Sequence, residues 1–359
     1  MLKTKDVSAL ILWYRKAKRD LPWRKTGEAY DVWVSEIMLQ QTRVEAVKPY
    51  YLTFMSKYPT VSSLASAKEE DLNRIWEGLG YYSRVRNMHK AAKEVEASHG
   101  GLFPVSYDVL ITLPGIGEYT AGAVSSIAGG ENVPAVDGNV IRVFSRVSAL
   151  KDSVSEASVV KNIRTTLQSV MNKAKKEDAA FSPGDFNSAM MELGATVCLP
   201  KGTPKCEECP FGGICKARKE GKCEEYPVKS AKAGRKIEKK TIFILHSLEG
   251  IALHKRPGKG LLAGLYEFPS VSGHLSRKEA LEYIKSLGYH PLKCKRIEDA
   301  RHIFSHVEWQ MRAYYAELDA ITDPTKTDPA NEVVFVTAEE RKSAYALPSA
   351  FSAYKNYII

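Results

Sequence analysis

Glu36 stands where an acid is costly. From Val32 to Leu39, six of the eight residues are large and apolar and one is a glutamate. Val34, Ile37, Met38 and Gln41 recur at helical spacing, so the stretch is expected to form a largely buried helix. An ionised carboxylate buried alone is expensive, so such a group pairs, takes up a proton or has a task. A second acid, Asp137, lies in "VPAVDGNVIRV" between an apolar approach and Gly138, at the start of a further helix. That is also where an ordinary helix N-cap sits. About twenty residues upstream, "LPGIGEYTAGAV" sets Pro114, Gly115 and Gly117 in a tight turn before a helix expected to begin near Glu118. Backbone N–H groups at such a turn make an anion site suited to a phosphate, and the same pattern also serves as a plain helix–helix connection.

Four of the six cysteines form a third group, Cys198, Cys206, Cys209 and Cys215, spaced C-x7-C-x2-C-x5-C. Clustered thiols in a reducing compartment hold a metal more often than they form disulfides. Zinc and a [4Fe–4S] cluster both accept four thiolates, and spacing alone does not separate them. Cys223 is a spare thiol within reach, and Cys294 is isolated and expected to pack in a core.

These residues need elements to hold them. Residues 1–225 read as nearly all helix, with periodic apolar segments broken at "YPT", "GGLFP" and "LPGIG". Near the start, Leu10, Trp13, Tyr14 and Ala17 give one face of an amphipathic helix. Residues 226–240, "YPVKSAKAGRKIEKK", read as a basic linker or as an arm along a phosphate backbone. Beyond it, "TIFILHSLEGIALHKR" reads as a β-hairpin and "VEWQMRAYYAEL" as a strand with Val307, Trp309, Met311, Ala313 and Tyr315 inward. "SRKEALEYIKSLG" reads as a helix with a Ser276–Glu279 capping box. Residues 241–359 are therefore expected to be a mixed α+β domain.

With 359 residues, 44% hydrophobic and 26% charged, the chain has the composition of a globular protein of two or three domains. No apolar run is long enough to span a bilayer and no secretion signal is seen, so no membrane association is expected. A formal charge of +10 favours a polyanionic partner.

In combination, "DLPWR", "WVSEIMLQQTRV", "WEGLGYYSR", "LPGIGEYTAGAV", "VDGNV", "FNSAMMELGATVC", "LYEFP" and "FSH" resemble the helix-hairpin-helix DNA glycosylases, and among them the MutY family of adenine glycosylases. The resemblance implies an all-α glycosylase domain over 1–225, with an iron–sulfur loop at 198–215, and a C-terminal Nudix-like α+β domain that recognises 8-oxoguanine. It implies removal of adenine mispaired with 8-oxoguanine or guanine from duplex DNA, after base flipping. By similarity Glu36 protonates adenine N7, and Asp137 stabilises the oxocarbenium-like sugar electrostatically or covalently. Asn139 orients the site and Tyr119 lies beside the reacting centre. Lyases related to endonuclease III carry a Schiff-base lysine at that position, so tyrosine implies a monofunctional enzyme. Arg19, Trp23, Arg24, Leu39 and Ser188 match positions around the extruded adenine. Gln41, Leu79 and Tyr81 match residues that enter the stack at the lesion, Gly115 and Gly117 match the DNA-binding hairpin, and Phe304, Ser305 and His306 match the lesion probe. Cys198, Cys206, Cys209 and Cys215 match the ligands of a [4Fe–4S] cluster. A monomer working in the bacterial cytoplasm or the nucleus is expected.

The sequence departs from the family in three places. The first cysteine gap is seven residues where the family commonly has six, with Cys223 as an alternative to Cys198. Ser188 stands where the family usually carries Gln or Glu to read the adenine edge; with water or a neighbour substituting, adenine selection is expected to be either looser or carried by Arg24 and the backbone. "SVSGHLSRKEALEY" lacks the glutamate run of a Nudix metal box, so pyrophosphatase activity is not expected.

Overall fold

The computed structural model describes residues 2–231, 234–319 and 333–358. Two compact units result, one built from Met1–Ser66 with Asn87–Ala231 and the other from Ala67–Arg86 with Lys232–Ile359. The helices are α1 (Thr4–Ala17), α2 (Ala29–Leu39), α3 (Val44–Lys57), α4 (Val61–Ala65), α5 (Glu69–Ile75), α6 (Ser83–His99) and α7 (Tyr107–Leu110). They continue as α8 (Glu118–Ile127), α9 (Gly138–Ser148), α10 (Ala157–Glu177), α11 (Pro183–Thr196), α12 (Lys216–Lys219), α13 (Arg277–Ser286) and α14 (Ala338–Ala344). The strands are β1 (Lys236–Ser247), β2 (Gly250–Lys255), β3 (Tyr266–Glu267), β4 (Ser270–Ser272), β5 (Pro291–Ile303), β6 (Val307–Leu318) and β7 (Val333–Val336).

The first unit is helical because its apolar residues repeat at the helical period. In α1, Val7, Leu10, Ile11 and Tyr14 turn inward and pack with α9, α10 and α11 around Met171, Phe186, Met190 and Leu193. Ala17, assigned to that face from sequence, is exposed at the helix end. Helix α2 is apolar nearly all round, as a buried helix must be, and packs on α3 and α8. It stops at Leu39, so Gln41 does not continue the helical stripe read from the sequence. Gln41 instead has φ 59°, in the left-handed region that non-glycine residues rarely adopt.

The second unit is built on a mixed sheet in the order β3-β2-β1-β6-β5, with β4 on β1 and β7 on β2. Strands β1 and β6 run parallel, with Ile242 opposite Ala313. Alternate side chains leave by opposite faces, as strand geometry dictates. Ile242, Ile244, Trp309 and Met311 join one core, and Phe243, Leu245, Tyr314 and Ala316 join another against α13. The inward set read for β6 is thus one of two buried sets, because this strand is covered on both faces. Cys294 packs in the second core, and Ser276 and Glu279 form the capping box of α13.

Two boundaries differ from the sequence reading. Segment 67–86 lies with the C-terminal residues rather than with the helical domain expected over 1–225. Arg86 Nη1 donates to the Ala263 carbonyl at 2.7 Å, and Arg341 pairs with Glu77 at 3.3 Å. The expected linker at 226–240 is shorter, because Lys236–Lys240 already pairs with Val307–Met311 as the start of β1. Residues 232–233 of that linker lie outside the described residues.

Candidate active site

A cavity of about 700 Å³ opens in the first unit. Glu36, Asp137, Tyr119, Asn139, Arg19, Trp23, Arg24, Leu39, Gln41 and Ser188 all line it. Helix α2 supplies Glu36 from its last turns, α8 supplies Tyr119 from its first, and α11 supplies Ser188.

Glu36 is 8% exposed and accepts a hydrogen bond from the Tyr119 hydroxyl, which also lies 3.2 Å from Met191 Sδ. Burial pushes the Glu36 carboxyl up to about 7, and the Asp137 charge adds to that rise. The Tyr119 hydrogen bond and the Arg24 charge oppose it. The acid therefore holds a proton near neutrality. Burial also carries the Tyr119 hydroxyl well above its ordinary value, so it stays a donor.

Asp137 does two things at once. It is the N-cap of α9, with Oδ1 accepting from Val140 N at 2.8 Å, and its Oδ2 accepts from Asn139 Nδ2 at 2.7 Å. Burial raises its carboxyl, against the lowering effect of those bonds. Asn139 Oδ1 in turn accepts from Arg142 Nη2 at 2.8 Å, and Arg142 also donates to the carbonyls of Gly194 and Cys198. The aspartate is thus fixed through Asn139 and Arg142 to the start of the cysteine loop. Gly194 permits this closeness: a Cβ there would come within 2.5 Å of Asn139 Cβ and 2.9 Å of its Cα.

The sequence reading missed Glu192. It is fully buried on α11, one turn beyond Ser188, and answers both arginines of the pocket. Arg19 Nε lies 2.7 Å from Oε1, and the Arg19 and Arg24 Nη2 groups lie 2.9 and 2.8 Å from Oε2. Burial raises the Glu192 carboxyl, but the hydrogen bonds from Arg19 and Arg24 outweigh it and hold the group at about 2. The single carboxylate offsets one of the two cations, so the group keeps a net positive charge at the cavity wall. Tyr14 completes this wall, with the Arg24 guanidinium 5.6 Å from its ring centre and a hydrogen bond to Ser188.

In the hairpin, Gly115 has φ 76° and a Cβ would strike the Asn87 side chain at 2.6 Å. Gly117 is extended and is the N-cap of α8. The sequence treated both glycines alike, but only Gly115 carries the left-handed turn.

Residues 34–169 match the model of the HhH-GPD superfamily of base excision DNA repair proteins, and 241–356 match that of the NUDIX domain. The chain is 35% identical to the adenine DNA glycosylase of Homo sapiens, over 97% of this chain and 73% of that protein. It is 34% identical to that of Rattus norvegicus, over 98% and 79%. The chain belongs to the adenine DNA glycosylase family. Among solved structures, a thermostable thymine-DNA glycosylase matches with TM-score 0.50 and 26% identity, over 60% of this chain and 95% of that one. An endonuclease III–DNA complex, at TM-score 0.50 and 23% identity over 62% and 99%, shows the same helical fold.

In this family member, Cys198, Cys206, Cys209 and Cys215 line one cavity, together with Cys223, Leu193, Val197 and Phe211. Arg146 Nη1 lies 3.3 Å from Cys198 Sγ, and the Cys215 thiol donates to the Arg146 carbonyl at 3.4 Å. The donor set is all thiol and its walls are largely apolar, which fits a thiolate-bound cluster. Among the described residues, no three His, Cys, Asp or Glu side chains converge closely enough to hold a single metal ion.

The other expected residues belong to the second unit. Phe304–Ser305–His306 forms the tip between β5 and β6, with the Phe304 ring anchored 4.6 Å from His302 and 4.9 Å from Trp309. Ser305 and His306 are exposed. Tyr81, 46% exposed with φ 48°, places its hydroxyl 3.1 Å from Ser305 Oγ. The Arg84 guanidinium sits 5.3 Å from the Trp76 ring and 5.7 Å from the Tyr81 ring, and donates to the Leu79 and Gly80 carbonyls. No helix among the described residues is long and apolar enough to cross a membrane.

Proposed function

We propose that this protein is a monofunctional adenine DNA glycosylase of base excision repair, acting on adenine opposite 8-oxoguanine or guanine in duplex DNA. The observation that carries the reading is the pair Glu36 and Asp137 in one cavity, one carboxyl poised near 7 and the other fixed at a helix start. Glu36 gives its proton to adenine N7, and the C1′–N9 bond breaks with its electrons passing to the base. Asp137 faces the resulting cationic sugar and stabilises it until water adds at C1′, the water's released proton returning to the Glu36 carboxylate. Tyr119 keeps Glu36 oriented and supplies no amine, so no imine forms and the strand is left intact.

The base enters the cavity walled by Trp23, Leu39 and Ser188, beside the Arg19–Glu192–Arg24 group, whose shared hydrogen bonds hold both guanidiniums in place. Ser188 is too short for a bidentate contact to the adenine edge, and Arg24 and backbone groups take that role. Gln41 and Tyr81 enter the stack as wedges. Their left-handed backbones are the kind of strain kept at functional positions. Ser305 and His306 read 8-oxoguanine with a hydroxyl and an imidazole. Gly117 and the first N–H groups of α8 face a DNA phosphate, where a bare glycine lets the strand come close.

Cys198, Cys206, Cys209 and Cys215 hold a [4Fe–4S] cluster. The reading rests on the match of these four positions to the family's cluster ligands and on an all-thiol donor set lining one largely apolar cavity. When bound, the cluster supplies a structural brace, since hydrolysis needs no electron transfer.

Single-turnover assays on a duplex with adenine opposite 8-oxoguanine, developed with and without alkali, test the function. The expected result is free adenine, with strand breaks only after alkali. Breaks without alkali would make the enzyme a lyase and remove the role given to Tyr119. Comparing adenine, purine and guanine as leaving bases in wild type and Ser188→Gln tests the pocket reading, and equal discrimination by both would remove Ser188 from it.

A further inference from the structure

Four thiols satisfy a four-iron cluster, yet five line its cavity. The fifth, Cys223, is no stray. The pattern Lys-Cys-Glu-Glu-x-Pro occurs twice, at 205–210 and at 222–227. Both copies fold alike. Cys206–Glu208 and Cys223–Glu225 are single 3₁₀ turns, each opening on its cysteine. Glu208 N donates to the Lys205 carbonyl at 3.1 Å and Glu225 N to that of Lys222 at 3.1 Å. Each turn closes on its cysteine carbonyl at 3.4 Å, from Cys209 N in one copy and Tyr226 N in the other. Each also carries the same lysine–glutamate pair, at 3.9 and 3.8 Å.

The two turns meet. Cys206 and Cys223 are within hydrogen-bonding reach of each other, and both line the cluster cavity and the open groove beside it. The copies diverge at the fifth position, Cys209 in the first and Tyr226 in the second. Tyr226 is buried and its carbonyl accepts from Arg146. The second copy therefore offers one thiol, and its counterpart by sequence, turn and position is Cys206.

We propose that Cys223 and Cys206 are interchangeable ligands for one corner of the cluster, a proposal that rests on the [4Fe–4S] reading above. Exchange involves no redox step: the Cys223 thiol releases its proton as its sulfur binds iron, and the departing Cys206 thiolate takes one up. Cys198, Cys209 and Cys215 have no such understudy. This differs from the sequence-based alternative, in which Cys223 replaced Cys198.

The test uses the full chain purified without oxygen, as wild type, Cys206→Ala, Cys223→Ala, the double variant and Cys209→Ala. Iron, acid-labile sulfide and visible absorbance are measured, and free thiols are mapped by alkylation and mass spectrometry. Both single variants at 206 and 223 are expected to keep iron within about twofold of wild type, while the double variant and Cys209→Ala lose about tenfold. In Cys206→Ala, Cys223 should become protected from alkylation. Wild type gives a reading that needs no variant to fold: alkylation divided between Cys206 and Cys223, with the other three protected. Iron loss in Cys206→Ala as deep as in Cys209→Ala, or a wild type with Cys223 wholly alkylated and Cys206 wholly protected, would overturn the proposal. Wild-type protein free of iron and sulfide would instead remove the cluster reading beneath it.

Discussion

The Glu36–Asp137 pocket and the Phe304–His306 tip hold their polar groups in different ways. In the pocket, carboxyls are buried, each has a fixed partner, and burial moves their proton affinity. At the tip, a hydroxyl and an imidazole are exposed beside a ring anchored from below, and the hydroxyl meets the exposed Tyr81 hydroxyl at 3.1 Å. Chemistry on a glycosidic bond needs a proton held where water is scarce and a negative charge already oriented. Reading an altered base edge needs exposed groups that can exchange a surface partner for the base. Substitutions in the buried pocket should therefore abolish the reaction, and those at the exposed tip should only blur its aim.

The deepest break should come at Glu36. Glu36→Gln keeps the shape and hydrogen-bonding capacity but cannot donate the proton. Single-turnover base loss is expected to fall by about 10³-fold with binding of the lesion duplex retained. A loss under tenfold would move the acid elsewhere. Glu192 is buried in the same pocket and pairs with Arg19 and Arg24. Glu192→Gln leaves two partly buried guanidiniums without their counter-charge, at a cost of about 3 kcal/mol in chemical unfolding. An unchanged denaturation midpoint would show that the ion group contributes nothing to the fold. The smallest effect is expected at the tip. Ser305→Ala should leave removal of adenine opposite guanine within about twofold and lower the preference for 8-oxoguanine several-fold, since one exposed hydrogen bond is at stake. Equal losses on both substrates would make the tip a general DNA contact.

The same contrast governs what the sequence disclosed. Glu36 was legible because an acid inside an apolar helix is anomalous on its face. Asp137 could be read only as an N-cap until the hairpin and cysteines gave it company, and the structure shows it capping α9 while it faces the cavity. Glu192 was not legible, although it too is a buried acid. Its partners Arg19 and Arg24 lie 173 and 168 positions away, and only folding joins them. Gln41 was placed on a helix because its spacing fits, but spacing carries no sign of where α2 ends. The grouping of 67–86 with the C-terminal residues depends on tertiary contacts such as Arg86 to Ala263, which no local pattern encodes. The paired Lys-Cys-Glu-Glu turns were visible as letters, and became meaningful once both cysteines lined one cavity.

If burial makes Glu36 the proton donor, the pH dependence of single-turnover adenine release should carry its signature. A proton donor acts while protonated, so with Glu36 in that role the rate should hold below about 7 and fall as pH rises through that value. At low pH the rate should fall again as Asp137 takes up a proton. Glu36→Gln should remove the alkaline limb from whatever activity remains. A wild-type rate that stays flat through neutrality, or an alkaline limb that survives in Glu36→Gln, would contradict the account.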